Sequence, residues 1–236
     1  MRLLFIVPAY NEAASLPGVV ADLRAHYPTA DIVVVNDGST DDTAAVARRL
    51  GVHLLDLPYN LGIGGAVQTG LLFAERGGYD VAVQFDGDGQ HRADEVCILL
   101  DALAVTGADV VIGSRFLQRT PYRGQPARRL GIAVLRAVIS LLLGQRITDS
   151  TSGFRAFNRA AIRFLARRYP QDYPEPESVV TLCREGFRLY EAPVRMRERQ
   201  AGRSSITPLR SAYYMAKVLL AVAIGASRGP EGRAVE

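Results

Sequence analysis

Two aspartates one residue apart, Asp86 and Asp88, follow an apolar run in the stretch Asp86-Gly87-Asp88-Gly89-Gln90-His91. Carboxylates at this spacing reach one divalent ion from the same side, and the intervening glycines let the backbone turn tightly while leaving room for a ligand. Oxygen donors from Asp and Gln suit Mg2+ or Mn2+ rather than Zn2+. Such an ion keeps positions open for phosphate oxygens, so the stretch reads as a diphosphate clamp. His91 reads as a hydrogen-bonding neighbour of the pair rather than as a ligand. The spelling alone also describes an ordinary turn; the place of the pair at the end of a strand argues for chemistry.

The elements around it supply that place. Leu3–Val7, Asp31–Val35, Val52–Leu57, Val81–Phe85 and Val110–Ile112 are short runs rich in Val, Ile and Leu, as expected of strands buried on both faces of a parallel sheet. Helical patterns alternate with them at Ala14–His26, Asp41–Leu50, Ala66–Arg76 and Ala93–Val105. Ser39 to Asp42 offers N-caps for the second helix and Gly51 a stop. This alternation predicts βαβ units in an α/β, doubly wound sheet, whose ligands gather beyond the carboxyl ends of the strands. The loops Pro8–Glu12, Asn36–Asp42 and Asp86–His91 are therefore the ones to watch. After residue 113 the rhythm changes. Arg119–Arg129 reads as a connection, Leu130–Leu143 as an apolar helix, and Tyr173–Glu177 as a Pro/Glu segment that either shapes a pocket or loops into solvent. A helix to about Tyr169, a strand at Arg188–Arg197, a basic turn and a last helix, Leu209–Ala226, complete the pattern.

With Pro8-Ala9-Tyr10-Asn11-Glu12, Val35 to Thr43 and Asp86 to His91 in this order, the chain resembles family 2 glycosyltransferases over almost its whole length. Within them it is similar to the dolichyl- or polyprenyl-phosphate sugar synthases. Asn60 to Gly65, Gly113 to Phe116, Asp149 to Arg155 and Arg199 to Ser205 carry that likeness. The resemblance implies a GT-A domain over residues 1–205, divided into a nucleotide- and metal-binding half (1–113) and an acceptor half (114–205). An amphipathic, interfacial C-terminal helix and tail would follow over 206–236. It implies that Pro8, Tyr10, Asn11, Glu12, Asp37, Gly64 and Asp86 hold the nucleotide, and that Asp86, Asp88 and Gln90 hold Mg2+ or Mn2+. Transfer from a GDP- or UDP-linked sugar would invert the sugar carbon, and the expected acceptor is a polyprenyl phosphate. Arg199, Arg203, Ser204 and Glu177 are the expected acceptor contacts. The basic turn departs from the pattern at Ser205, where many relatives carry Lys.

Residue chemistry adds to this. Asp37, at a strand end, offers an acceptor for base N–H groups or is an Asx-turn residue. A departing nucleoside diphosphate develops negative charge that a metal and arginines stabilise, and Arg115, Arg155, Arg199 and Arg203 follow Gly/Ser turns as a candidate set. Asp88, Asp149, Arg115 and Arg155 are the catalytic candidates. Asp149 is either a base, should the acceptor be a hydroxyl, or the group that orients Arg155. A lipid phosphate is already an anion and needs no base.

Composition sets the bounds. The 236 residues carry 48% apolar and 22% charged side chains, which excludes global disorder and suits one substantial α/β core. Net charge is +4, yet residues 1–113 hold six Arg/Lys against fifteen Asp/Glu, and the remainder twenty-two against nine. An acidic front and a basic back separate metal binding from contact with something anionic. No stretch reaches the roughly 20 apolar residues of a membrane span. The two apolar helices fit a bilayer interface, with Arg128, Arg129, Arg136, Arg210 and Lys217 facing anionic headgroups, or else a core or dimer contact. The expected location is cytoplasmic and peripheral on the inner face of the membrane, with room for a small membrane protein partner and no role for nucleic acid. Cys97 and Cys183 read as reduced core residues. The competing readings are transfer to a hydroxyl of a glycan or metabolite, sugar nucleotidyl transfer, and a catalytically silent binding protein. The lack of a Gly-rich, Lys-bearing loop after the first strand argues against nucleotidyl transfer.

Overall fold

The computed structural model describes residues 1–117, 126–144 and 146–197 and, beyond them, Lys217 and Leu220. The five apolar runs form β1 (Leu3–Ala9), β2 (Asp31–Asn36), β3 (His53–Asp56), β4 (Val81–Gln84) and β5 (Val110–Ser114). Between them lie α1 (Leu16–His26), α2 (Thr43–Arg49), α3 (Gly62–Arg76) and α4 (Val96–Thr106), the last preceded by a 3-10 turn at Ala93–Glu95. The second half adds α5 (Pro126–Leu143), β6 (Arg155–Asn158), α6 (Arg159–Arg168), α7 (Pro174–Arg184) and β7 (Leu189–Pro193).

Among the described residues the strands form one sheet in the order β3-β2-β1-β4-β6-β5-β7. All pairings are parallel except those of β6, which runs antiparallel to both β4 and β5. The expectation of a doubly wound, mostly parallel sheet is met. Side chains alternate across it as pleating demands. Phe5, Val7, Val34, Val83 and Phe85 join one core layer with α1, α2 and α4. Leu4, Ile6, Val33, Val35 and Ala82 join the other with α3, α6 and α7. Because β1, β2 and β4 are parallel, their carboxyl ends deliver Pro8, Asp37 and Asp86 to one edge of the sheet.

Three expectations are corrected. The connection ends at Pro126, not Arg129, because proline fits the first turn of α5, where its missing N–H has no partner to lose. The Pro/Glu segment is no loop: Pro174 and Pro176 occupy the first turn of α7, for the same reason. Neither cysteine is a core residue. Neither is in a disulfide; Cys97 is exposed on α4 and Cys183 half-buried on α7. The Cys97 thiol points out of its helix and donates to the Asp94 carbonyl at 3.2 Å. The basic turn and the last helix lie outside the described residues, apart from Lys217 and Leu220.

Candidate active site

A cleft of about 300 Å3 opens at the carboxyl ends of β1, β2 and β4, lined among others by Pro8, Tyr10, Glu12, Asp37, Asp86 and Asp88. Its walls are tied together by short polar contacts. The Asp37 N–H donates to the Ala9 carbonyl at 2.9 Å. The Asp37 Oδ1 accepts the Leu61 N–H at 2.7 Å, docking the turn before α3 onto the loop after β2. Gly38 permits that contact: at φ +65°, a Cβ there would stand 2.6 Å from the Asn60 nitrogen. Asn11 does not line the cleft. With φ 56°, it turns its Oδ1 to the Thr40 N–H at 2.8 Å and to the Asp41 N–H at 3.3 Å, bracing one loop on the other.

The acidic loop is held from behind. The Asp86 N–H donates to the His91 Nδ1 at 3.0 Å, which leaves the His91 proton on Nε2, 3.5 Å from the Asp86 carboxylate. The imidazole stacks on Phe154 at 4.6 Å and meets Phe85 edge-on. Burial pushes His91 down to about 4, with Arg115 adding to the effect and Asp88 opposing it, so the ring is neutral near pH 7. Gln90 contributes its backbone N–H, which donates to the Asp88 Oδ1 at 3.0 Å. Gly153 lies behind Asp86: a Cβ there would come within 3.2 Å of the Asp86 Oδ2 and 2.9 Å of the Gln84 Nε2.

The residues present fit a divalent ion. Four carboxylates, those of Glu12, Asp37, Asp86 and Asp88, line the cleft, so a bound diphosphate needs a cation between itself and this wall. No group of three or more His, Cys, Asp or Glu among the described residues could enclose a metal. Two carboxylates with the remaining positions left to phosphate oxygens and water is the coordination that Mg2+-like ions favour.

In the second half of the chain Asp149 and Arg155 are both fully buried, and neither does what sequence suggested. The Asp149 carboxylate accepts from the Arg115 Nε and Nη2, each at 2.7 Å, so it orients Arg115 rather than Arg155. That fork leaves it unsuited to act as a base. The Arg155 guanidinium donates to the Ser152, Ser150 and Glu175 carbonyls and to the Ser178 Oγ, at 2.7 to 3.0 Å. It stitches the loop before β6 to the start of α7 and is not presented to a ligand.

Gly64 is likewise structural. A Cβ there would collide with the Pro170 and Gln171 carbonyls, while its neighbours Gly62 and Ile63 line the cleft. Glu177 lies two residues from Glu175 on α7, and burial and the Asp172 charge raise its carboxyl. Burial raises the Glu175 carboxyl, the Arg155 and Arg115 charges lower it, and Asp86 raises it further. Sequence reasoning missed Gln84 and Tyr169. Both are buried, and neither the Gln84 amide nor the Tyr169 hydroxyl has a hydrogen-bond partner. A glutamine ending an otherwise apolar strand was the available signal. Arg199, Arg203 and Ser204 lie outside the described residues.

The family model for glycosyl transferase family 2 matches residues 4–165. Polyprenol monophosphomannose synthase from Mycolicibacterium smegmatis is 35% identical, over 87% of this chain and 81% of that one. Undecaprenyl-phosphate mannosyltransferase from Micrococcus luteus is 34% identical, over 88% of each chain. Among solved structures, glucosyl-3-phosphoglycerate synthase from Mycobacterium tuberculosis, in complex with Mn2+, UDP and phosphoglyceric acid, superposes with a TM-score of 0.71. It is 21% identical, and the match covers 96% of this chain and 78% of that one.

Proposed function

Because this chain belongs to glycosyl transferase family 2 and has its GT-A fold, we propose that it moves a sugar from a nucleoside diphosphate to a polyprenyl phosphate, with inversion at the sugar carbon. The observation that carries the donor half is the opening of Asp37, Asp86 and Asp88 into one cleft. Pro8, Tyr10, Glu12 and Asp37 hold base and ribose. Asp86 and Asp88, steadied by His91 and by the Gln90 N–H, hold Mg2+ or Mn2+ against the diphosphate. Such an ion, when bound, neutralises the charge that develops on the leaving diphosphate. The acceptor half follows the relatives, two of which are named for transfer to polyprenol or undecaprenyl phosphate.

In the reaction a phosphate oxygen of the acceptor forms the new bond to the anomeric carbon as the bond to the donor's diphosphate breaks. The electron pair leaves with the nucleoside diphosphate, so an α-linked donor gives a β-linked product. No proton has to move, because the acceptor is already an anion. Arg115, held on Asp149, places positive charge near Glu175 and His91. Residues 1–113 then handle donor and metal, and residues 114–205 the acceptor. The outer face of α5, with Val134 and Leu141 exposed, suits a lipid surface at the inner face of the membrane. No helix among the described residues is long and apolar enough to cross a membrane.

Nucleoside diphosphate release from a panel of GDP- and UDP-sugars, with Mg2+ or Mn2+, with and without a short-chain polyprenyl phosphate, tests this reading. Release that requires the lipid phosphate is the expected result. Lipid-independent transfer to a hydroxyl acceptor would overturn it. A second reading, transfer to such a hydroxyl, would then rest on Glu175, whose raised carboxyl beside Asp86 suits a general base.

A further inference from the structure

Glu191 stands near the middle of β7, in register with Ile112 of β5 and two residues behind the paired residues Ser114 and Pro193 at the carboxyl ends of the two strands. Its two carboxylate oxygens accept from consecutive peptide groups: Oε2 from the Thr148 N–H and Oε1 from the Asp149 N–H, each at 2.7 Å. One carboxylate spanning two adjacent peptides fixes both planes, and with them the direction in which the Asp149 side chain leaves the backbone. That side chain is fully buried and forks onto Arg115 through Oδ1 and Oδ2, while its Oδ2 also accepts the Arg115 N–H at 3.1 Å. The loop is sewn to β5 a second time, by the 2.7 Å contact between the Ser114 and Thr148 hydroxyls. It is sewn to α5 by the Ile147 N–H, which donates to the Ser140 Oγ at 3.0 Å.

This backbone crosses the top of the sheet without belonging to it, so its N–H groups have no ladder to satisfy them. Ser140 serves the Ile147 N–H, and Glu191 serves the next two. A neutral acceptor would satisfy one peptide. A carboxylate satisfies two, and its hydrogen bonds are the stronger charge-assisted kind.

We infer that Glu191 is a positioning residue for Arg115, acting through the Thr148 and Asp149 peptides and the Asp149 carboxylate to hold the guanidinium at the site. The inference rests on the proposed reading of the site as one that handles phosphate. Its logic is that of an outer contact that orients an inner ligand: Glu191 touches no substrate, yet the angle of the Arg115 fork depends on it.

The experiment is a double-mutant cycle on the full chain, read as kcat/KM for short-chain polyprenyl phosphate at saturating donor. Glu191→Gln keeps the shape but turns an N–H donor toward one of the two peptides, so it lowers kcat/KM by about tenfold or more. Glu191→Asp, which keeps the charge but shortens the reach, falls between Glu191→Gln and wild type. Glu185→Gln, at the far end of α7, matches wild type. In an Arg115→Ala background the Glu191→Gln change costs nothing further, because the group it positions is gone. An equal loss in both backgrounds would make Glu191 a structural brace only and overturn the inference.

Should wild type release nucleoside diphosphate without lipid, the acceptor reading falls but the positioning claim does not. It is then judged on the Arg115 Nε–H resonance in nitrogen-15 labelled protein. That signal is sharp in wild type and in Glu185→Gln and broadened in Glu191→Gln; an unchanged signal sinks the claim.

Discussion

The two halves of the chain use charge in different ways. On the donor side Asp37, Asp86 and Asp88 come from the ends of parallel strands and reach the cleft surface. On the other side Asp149 and Arg155 are fully buried and bonded to protein. The difference follows from the backbone beneath. Strands that pair along their length satisfy their own N–H and C=O groups, so the side chains at their ends line the cleft while accepting single N–H groups, as Asp37 does from Leu61 and Asp88 from Gln90. The stretch from Ile147 to Gly153 crosses the sheet as irregular chain, and charged side chains must satisfy its peptides. A motif therefore names residues, and the regularity of the backbone under them decides whether they serve a ligand or the fold.

The contrast breaks most sharply if the exposed and buried charges are removed in turn. Asp88→Asn should lower turnover about 10³-fold with little change in unfolding midpoint, since it takes away half of the carboxylate pair facing the diphosphate. Arg155→Met should do the reverse first. It strips four acceptors of their donor and should cost about 3–5 kcal/mol in urea unfolding, with any activity loss tracking the unfolded fraction. An Arg155→Met enzyme that is stable but dead would return Arg155 to the ligand.

Acid sharpens the comparison next. In the metal-free protein His91 titrates at about 4 when folded and near its ordinary 6.5 when unfolded. Between those values the unfolded chain binds the extra proton, so stability falls as pH falls, by about 3 kcal/mol in all. The urea midpoint should drop over this window in wild type and drop less in His91→Gln; parallel curves would refute the assignment. The smallest effect is chemical. Exposed Cys97 should react with a thiol reagent at pH 8 in the folded protein. The thiol of Cys183, pushed up to about 11 by burial, should react only on unfolding.

Much of the donor side was legible in sequence because it is local. Val81 to Gln84 is a strand by composition, and the Asp86–His91 loop beyond it is a site by position. Pro8, Tyr10, Glu12, Asp37, Asp86 and Asp88 meet in one cleft. The acceptor side was less legible because its partnerships are long-range: nothing in the spacing of Asp149, Arg115 and Glu191 announces that they touch. Pro174 and Pro176 start α7 although proline disfavours a helix interior, because the first turn of a helix has no N–H bonds for proline to remove. Cys97 sits among apolar neighbours on a helix that is apolar on most sides, so the direction of its buried face could not be read from the run.

The antiparallel strand β6 also governs the order in which the protein can be assembled. Among the described residues β5 is not paired with β4; β6 lies between them and joins β5 and β7 to the other four strands. During synthesis Val110–Ser114 emerges before its bridge, and must wait for the whole of α5 and the 147–154 loop before Arg155–Asn158 can pair on both sides. Until then the outer edge of β4 is open, an invitation to pair with another chain. A fragment cut at residue 113 would keep every residue of the donor cleft and still carry an orphan strand and an unprotected edge. Residues on both sides of position 113 thus share one sheet, and the strand that closes it also brings Gly153 up behind Asp86.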